Sequence, residues 1–248
     1  MSKSDIIEKV YYDLSGYGSI QNTLKEARKY DKTITYDDVK EWKQKEPIGQ
    51  KRQLRGVNSY IAKEPLEEFQ MDLLFFSDID KNSVCLLMVD IFTKYTYVVE
   101  LKSKQPNDVL DGIKKCFDKM GVCKSIYCDN EGAFVSNIVK DFLTDKNVKL
   151  ITTNGHAPVA ERQIRTIKNM IYQRIEKTGQ TWKELLYPVL LVYNNKLIHS
   201  VTKMTPADAM KKTHQIQVRL NLELRRKHLR LYPNIRVDDT VKIFKKKR

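Results

Sequence analysis

The chain has 248 residues, with 45 Lys and Arg against 31 Asp and Glu, a formal net charge of +14. That length predicts one catalytic-sized domain with one or two small accessory units, and 41% hydrophobic residues in patterned segments exclude a disordered polyelectrolyte. The positive balance favours a polyanionic partner, nucleic acid ahead of membrane. No apolar run reaches spanning length and the polar N-terminus lacks a signal-peptide core, so an intracellular protein without a membrane partner is expected.

Residues 1–45 predict three short helices, from Ile6, Ile7, Val10 and Tyr11, then Ile20, Leu24 and Ala27, then Val39 and Trp42 at helical spacing. Gly16 and Gly18 break the first pair, and Thr35 with Asp38 reads as a capping box opening the third. The module is compatible with a helix-turn-helix that binds DNA. Residues 46–66, bounded by Pro47 and Pro65, are basic and aperiodic, a linker that either tracks a DNA backbone or is simply solvated.

From Glu68 the period changes to two. Strands are predicted over residues 69–76, 84–91 and 95–101, joined by turns short enough for an antiparallel meander. A helix over 107–120 follows, then a strand at 125–128, a helix at 135–145, a strand at 148–152 and a long helix over 159–177. That is the order of an RNase H-like α/β fold, a mixed five-stranded sheet with helices. A helix over 182–193 and a short one at Pro206 extend the domain to about residue 212. Residues 213–248 form a basic segment with Arg225, Arg226, Lys227, Arg230 and the run from Lys245 to Arg248, and a strand-like stretch at 240–244.

Three carboxylates stand where burial is costly unless something compensates it. Asp72 is mid-strand in Phe-Gln-Met-Asp-Leu-Leu, Asp129 ends the fourth strand, and Glu161 opens the long helix. In this strand order the first and fourth strands are neighbours, so the three acids can converge. Like charges at one point call for cations, and hard oxygen donors suit magnesium or manganese. Two ions would meet the needs of an in-line displacement at phosphorus. The cysteines, Cys85, Cys116, Cys123 and Cys128, lack the paired spacing of a zinc site and read as buried thiols.

The triad, with 56 residues between Asp72 and Asp129 and 31 between Asp129 and Glu161, resembles the DDE core of retroviral and retrotransposon integrases. So do Val-Asp-Ile-Phe-Thr-Lys-Tyr (89–95), Asp-Asn-Glu-Gly-Ala-Phe (129–134), Asn-Gly-His-Ala-Pro-Val-Ala-Glu-Arg (154–162), Val-Tyr-Asn-Asn (192–195) and Thr-Pro (205–206), in order. The Gly-His-Ala-Pro segment and the N-terminal Tyr-Tyr-Asp and Val-Lys-Glu-Trp look most like Maverick/Polinton and virophage integrases. The resemblance implies 3′-end processing and strand transfer of a mobile element, Asp72, Asp129 and Glu161 as catalytic metal ligands, double-stranded DNA as partner, a homodimer or DNA-induced tetramer, and a host nucleus or viral factory as location. No histidine precedes His156, so the zinc-binding N-terminal module of retroviral integrases is absent, and the C-terminus resembles only the opening of an SH3-like domain.

Each residue also has a plainer reading. Asp72 can be an edge aspartate, Asp129 a turn aspartate, and Glu161 a surface partner of Arg165. Asp90 reads as a hairpin-turn aspartate. Asn130 either orders the site or bonds the turn, and His156 reads as structural ahead of general base. On the long helix, Ile164, Ile167, Ile171 and Ile175 are expected to be buried, leaving Arg162, Arg165 and Lys168 for phosphate contacts. Rival functions are a cut-and-paste transposase or nuclease on the same fold, and a domesticated, non-catalytic DNA-binding protein.

Overall fold

The computed structural model describes residues 2–13, 19–45, 62–153 and 155–224. The glycine break at 16 and 18, nearly all of the proposed linker and the tail from residue 225 lie outside the described residues.

Three helices, α1 (Lys3–Tyr12), α2 (Ile20–Ala27) and α3 (Tyr36–Lys45), pack around Ile7, Val10, Ala27, Ile34 and Val39. The predicted capping box is present: Thr35 Oγ1 accepts from Asp38 N at 3.2 Å and Asp38 Oδ2 accepts from Thr35 N at 2.8 Å.

Strands β1 (Glu68–Leu74), β2 (Cys85–Asp90), β3 (Thr96–Glu100), β4 (Ser125–Asp129) and β5 (Lys149–Thr153) form one sheet in the order β3-β2-β1-β4-β5. The first three are an antiparallel meander, while β4 and β5 run parallel to β1. Period-two alternation divides the side chains between two layers. Phe69, Met71 and Leu73 face α4 (Pro106–Met120) and α5 (Asn137–Asp145), whereas Leu74, Leu87 and Val89 face α6 (Pro158–Thr178) and α7 (Trp182–Asn195). On the first layer Gly112 allows close approach, since a Cβ there would lie 2.6 Å from Leu101 Cδ2. All four cysteines are buried and free, and burial pushes each thiol up to about 12.

The motifs beyond the triad are largely fold-keeping. Asp90, the buried last residue of β2, holds the turn that follows: Oδ1 accepts from Phe92 N and Thr93 N, and Oδ2 from Leu66 N, each at 2.8 Å. The hairpin-turn reading of Asp90 therefore holds. Asn194 pairs with the backbone of Thr96 through both amide atoms, at 3.0 and 2.8 Å. Thr205 caps α8 (Pro206–Ala209) by accepting from Asp208 N at 3.0 Å.

Two expectations need correction. The buried face of α6 includes Ile167 and Ile171 as expected, but Ile164 and Ile175 are only half-buried, and Gln163, Met170, Gln173 and Arg174 are buried instead. The physical cause is that α6 is covered by more than the sheet. The N-terminal helices also pack on it: Arg174 donates to Asp13 O and Met170 O, each at 2.8 Å, and Lys177 pairs with Glu8. The packed core also continues past residue 212. After a turn of 3-10 helix at Lys212–His214, α9 (Gln215–Leu224) inserts Val218 and Leu222 against Ile91, Phe92 and Ala209.

Candidate active site

The parallel pairing of β1 and β4 sets Gln70 beside Tyr127. Two residues further along each strand come Asp72 and Asp129, on the same faces as Gln70 and Tyr127 and so toward α6. Both carboxylates are half-buried.

Helix α6 starts at Pro158 and has no side-chain cap of its own, because Ala157 occupies the N-cap. Its first N–H groups need acceptors. The side chain of Gln70, fully buried on β1, supplies one: Oε1 accepts from Val159 N at 2.9 Å and Ala160 N at 3.3 Å. This contact orients the amide and joins the strand of Asp72 to the helix turn of Glu161. Gln70 Nε2 has no hydrogen-bond partner among the described residues. Nothing in the local sequence pattern marks Gln70 as a cap, since the residues it joins are 89 and 90 positions apart.

The carboxyl of Asp72 is pushed up to about 6, first by desolvation and then by the negative charges of Asp129, Glu161 and Glu131, although a hydrogen bond from its own neighbour Leu73 opposes this. Asp129 and Glu161 are therefore close enough to act electrostatically on Asp72, and Glu131 joins them. One oxygen of each is engaged: Asp72 Oδ1 accepts from Leu73 N at 2.8 Å, Asp129 Oδ1 from Glu131 N at 3.3 Å, and Glu161 Oε1 lies 2.9 Å from His156 Nδ1. The second oxygen of each makes no hydrogen bond among the described residues. Glu161 makes no ion pair with Arg165 there, so the surface-pair reading is not realised.

As a donor set, these unpartnered carboxylate oxygens fit a hard divalent cation, which would relieve the repulsion that raises Asp72. Among the described residues no three His, Cys, Asp or Glu side chains are gathered tightly enough to hold an ion as they stand.

Of the residues predicted to contact DNA, Arg165 and Lys168 follow Glu161 at helical spacing on one stripe of α6. Lys168 lies over the rings of Phe76 and Tyr172, 5.9 and 5.4 Å from their centres. Arg162 is exposed and acts electrostatically on the buried Lys94, away from that stripe. Asn130 is exposed and makes no hydrogen bond among the described residues, so its turn-bonding role is not seen.

Residues 62–158 match the integrase core domain family. Relatives include the Gag-Pro-Pol polyprotein of mouse mammary tumor virus, 28% identical over 56% of this chain, and a retrovirus-related Pol polyprotein from transposon 297 of Drosophila melanogaster, 28% identical over 57%. The chain matches only 8% and 13% of the lengths of those two polyproteins. Among solved structures, the HTLV-2 integrase catalytic core in complex with magnesium shares the fold at a TM-score of 0.54 with 18% identity, covering 60% of this chain and 98% of that one. A simian T-cell lymphotropic virus intasome bound to the PP2A regulatory subunit B56 gamma has a TM-score of 0.57 with 14% identity, covering 98% of this chain and 79% of its counterpart. The fold is thus that of an integrase catalytic core, RNase H-like, and residues 62–158 carry the integrase core domain match.

Proposed function

We propose that this chain is the catalytic part of a mobile-element integrase that trims the 3′ ends of its element and joins them to target DNA. The observation that carries the reading is the placement of Asp72 and Asp129 on neighbouring parallel strands, with Glu161 in the first turn of the helix held to β1 by Gln70, so that both other acids act on the carboxyl of Asp72. The integrase core match and the retroviral fold neighbours support it. The Gly-His-Ala-Pro segment supports a Maverick/Polinton or virophage type within that class.

In this reading Asp72, Asp129 and Glu161 hold magnesium, or manganese in its stead. Two such ions, when bound, would activate the attacking oxygen and stabilise the departing 3′ oxygen of an in-line displacement. The chain's own parts position the reaction. Gln70 keeps the first turn of α6 against β1, which fixes Glu161 relative to Asp72. Arg165 and Lys168 would receive phosphates along the helix, and Arg162 and Asn130 would contact DNA at its flank. His156 shares a hydrogen bond with Glu161 in the segment before α6 and would release it on metal binding. Double-stranded DNA is the substrate, and a dimer or tetramer would hold two element ends together.

The test is strand transfer of a labelled duplex bearing the encoding element's terminal sequence into plasmid, with magnesium or manganese. Asp129→Asn and Glu161→Gln should each lower joined product at least 100-fold while leaving thermal unfolding cooperative. Product retained by both variants sinks the triad. Full excision of the element, with both strands cut, would favour the transposase reading instead.

A further inference from the structure

A cleft of about 640 Å³ lies between α2 and the segment that joins α7 to α8, and shares no residue with the triad. Lys25 and Lys29 line it from the N-terminal module, and Lys196 and Lys203 from the core. The acids on its walls are already neutralised. Glu26 is paired with Lys29 at 2.6 Å. Asp208 is paired with Lys211 at 2.7 Å, and its carboxyl is held below the ordinary value by that lysine and by Thr205. Lys25, Lys196 and Lys203 have no acidic partner among the described residues. Three uncompensated cations thus face one concave surface built jointly by two parts of the chain.

Such charges repel one another, and a ligand with regularly spaced negative charge would relieve that cost. We propose that this cleft binds the phosphodiester backbone of duplex DNA, as a contact separate from the catalytic site. The cleft is too small to enclose a duplex, so it takes one backbone strand along its rim. Ammonium groups on flexible stems act as point charges toward phosphate and carry no base preference, so the contact is independent of sequence. Because α2 reaches the core only when the N-terminal helices are docked, the contact exists only in the assembled chain.

The inference goes beyond the proposed catalytic function and can fail or stand without it. The experiment is fluorescence anisotropy of the full chain with a labelled 30-base-pair duplex of arbitrary sequence, from about 50 to 200 mM salt. It compares wild type, a triple variant Lys25→Gln, Lys196→Gln and Lys203→Gln, and a control triple variant Lys115→Gln, Lys119→Gln and Lys140→Gln on exposed positions of α4 and α5. Each neutralised phosphate contributes about 0.9 to the slope of log affinity against log salt. The cleft variant should lose roughly 2 to 3 in slope and at least tenfold in affinity near 150 mM, with the control close to wild type. Equal slopes in the cleft variant and wild type would overturn the proposal. An equal loss in the control would overturn it as well, because the charge would then act diffusely. Strand transfer by wild type is scored separately: its absence counts against the catalytic reading, while a slope difference specific to the cleft variant still supports the cleft.

Discussion

Asp72 is half-buried on β1 among Asp129, Glu161 and Glu131, and its proton is held up to about 6 against an ordinary 3.8. A carboxyl raised on folding binds its proton more tightly in the native state, so its contribution is fully present below about pH 4 and is lost as the pH rises toward 6. In the absence of divalent ions, stability should fall across that interval by on the order of 1 to 2 kcal/mol, after allowance for solvent screening of a half-exposed group. Asp72→Asn should flatten this slope, and magnesium should raise the melting temperature of wild type above pH 6. Melting curves between pH 4 and 7, with and without chelator, measure both effects. A variant with the wild-type slope would show that other groups carry it. The positions of the three candidate acids were legible in the sequence, because the period-two and helical patterns around them set a strand, a strand end and a helix start. Glu131 carried no role in the sequence reading, where it stands only inside the Asp-Asn-Glu-Gly-Ala-Phe segment at 129–134.

At the scale of elements, the decisive contact is Gln70 with the start of α6. It replaces a missing cap and ties the helix to the strand beside it. Gln70→Ala should cost about 2 to 4 kcal/mol in urea unfolding, by leaving the buried N–H of Ala160 and the half-buried N–H of Val159 short of an acceptor and opening a cavity. Strand transfer should fall more than tenfold with all three acids intact. Hydrogen exchange should speed up at Val159 and Ala160 in particular, and unchanged exchange there would exclude the capping role. The strands and helices themselves were readable from period and breakers, because each local pattern agrees with its place in the sheet. The face of α6 was not. Helical spacing ranks apolar residues for burial, but Gln163, Gln173 and Arg174 are covered by neighbours distant in sequence.

At the scale of the molecule, the N-terminal helices are seated on the same helix that carries Glu161. Arg174, fully buried, bonds the end of α1 through Asp13 O, and Lys177 pairs with Glu8. Arg174→Met keeps most of the packing volume but removes those donors, and should cost about 2 to 4 kcal/mol. It should expose the N-terminal helices to limited proteolysis before the core unfolds. Proteolysis indistinguishable from wild type would mean that the docking rests on other contacts. The same variant should weaken duplex binding at the cleft, since α2 forms one wall.

The amino-acid sequence by itself determined the order of strands and helices, the buried thiols, the capping box at Thr35 and the three candidate acids. These follow from local periodicity, hydrophobicity and short-range hydrogen bonding, all written within a few residues. Only the tertiary structure decided that Gln70 caps α6, that Arg174 anchors α1, that α9 closes the core past residue 212, and that lysines from two parts of the chain share one cleft. Those contacts join residues far apart in the chain, and nothing in the spacing of either partner encodes the other. They arise when packing brings unsatisfied backbone groups and buried polar side chains together, where each must find a partner away from water.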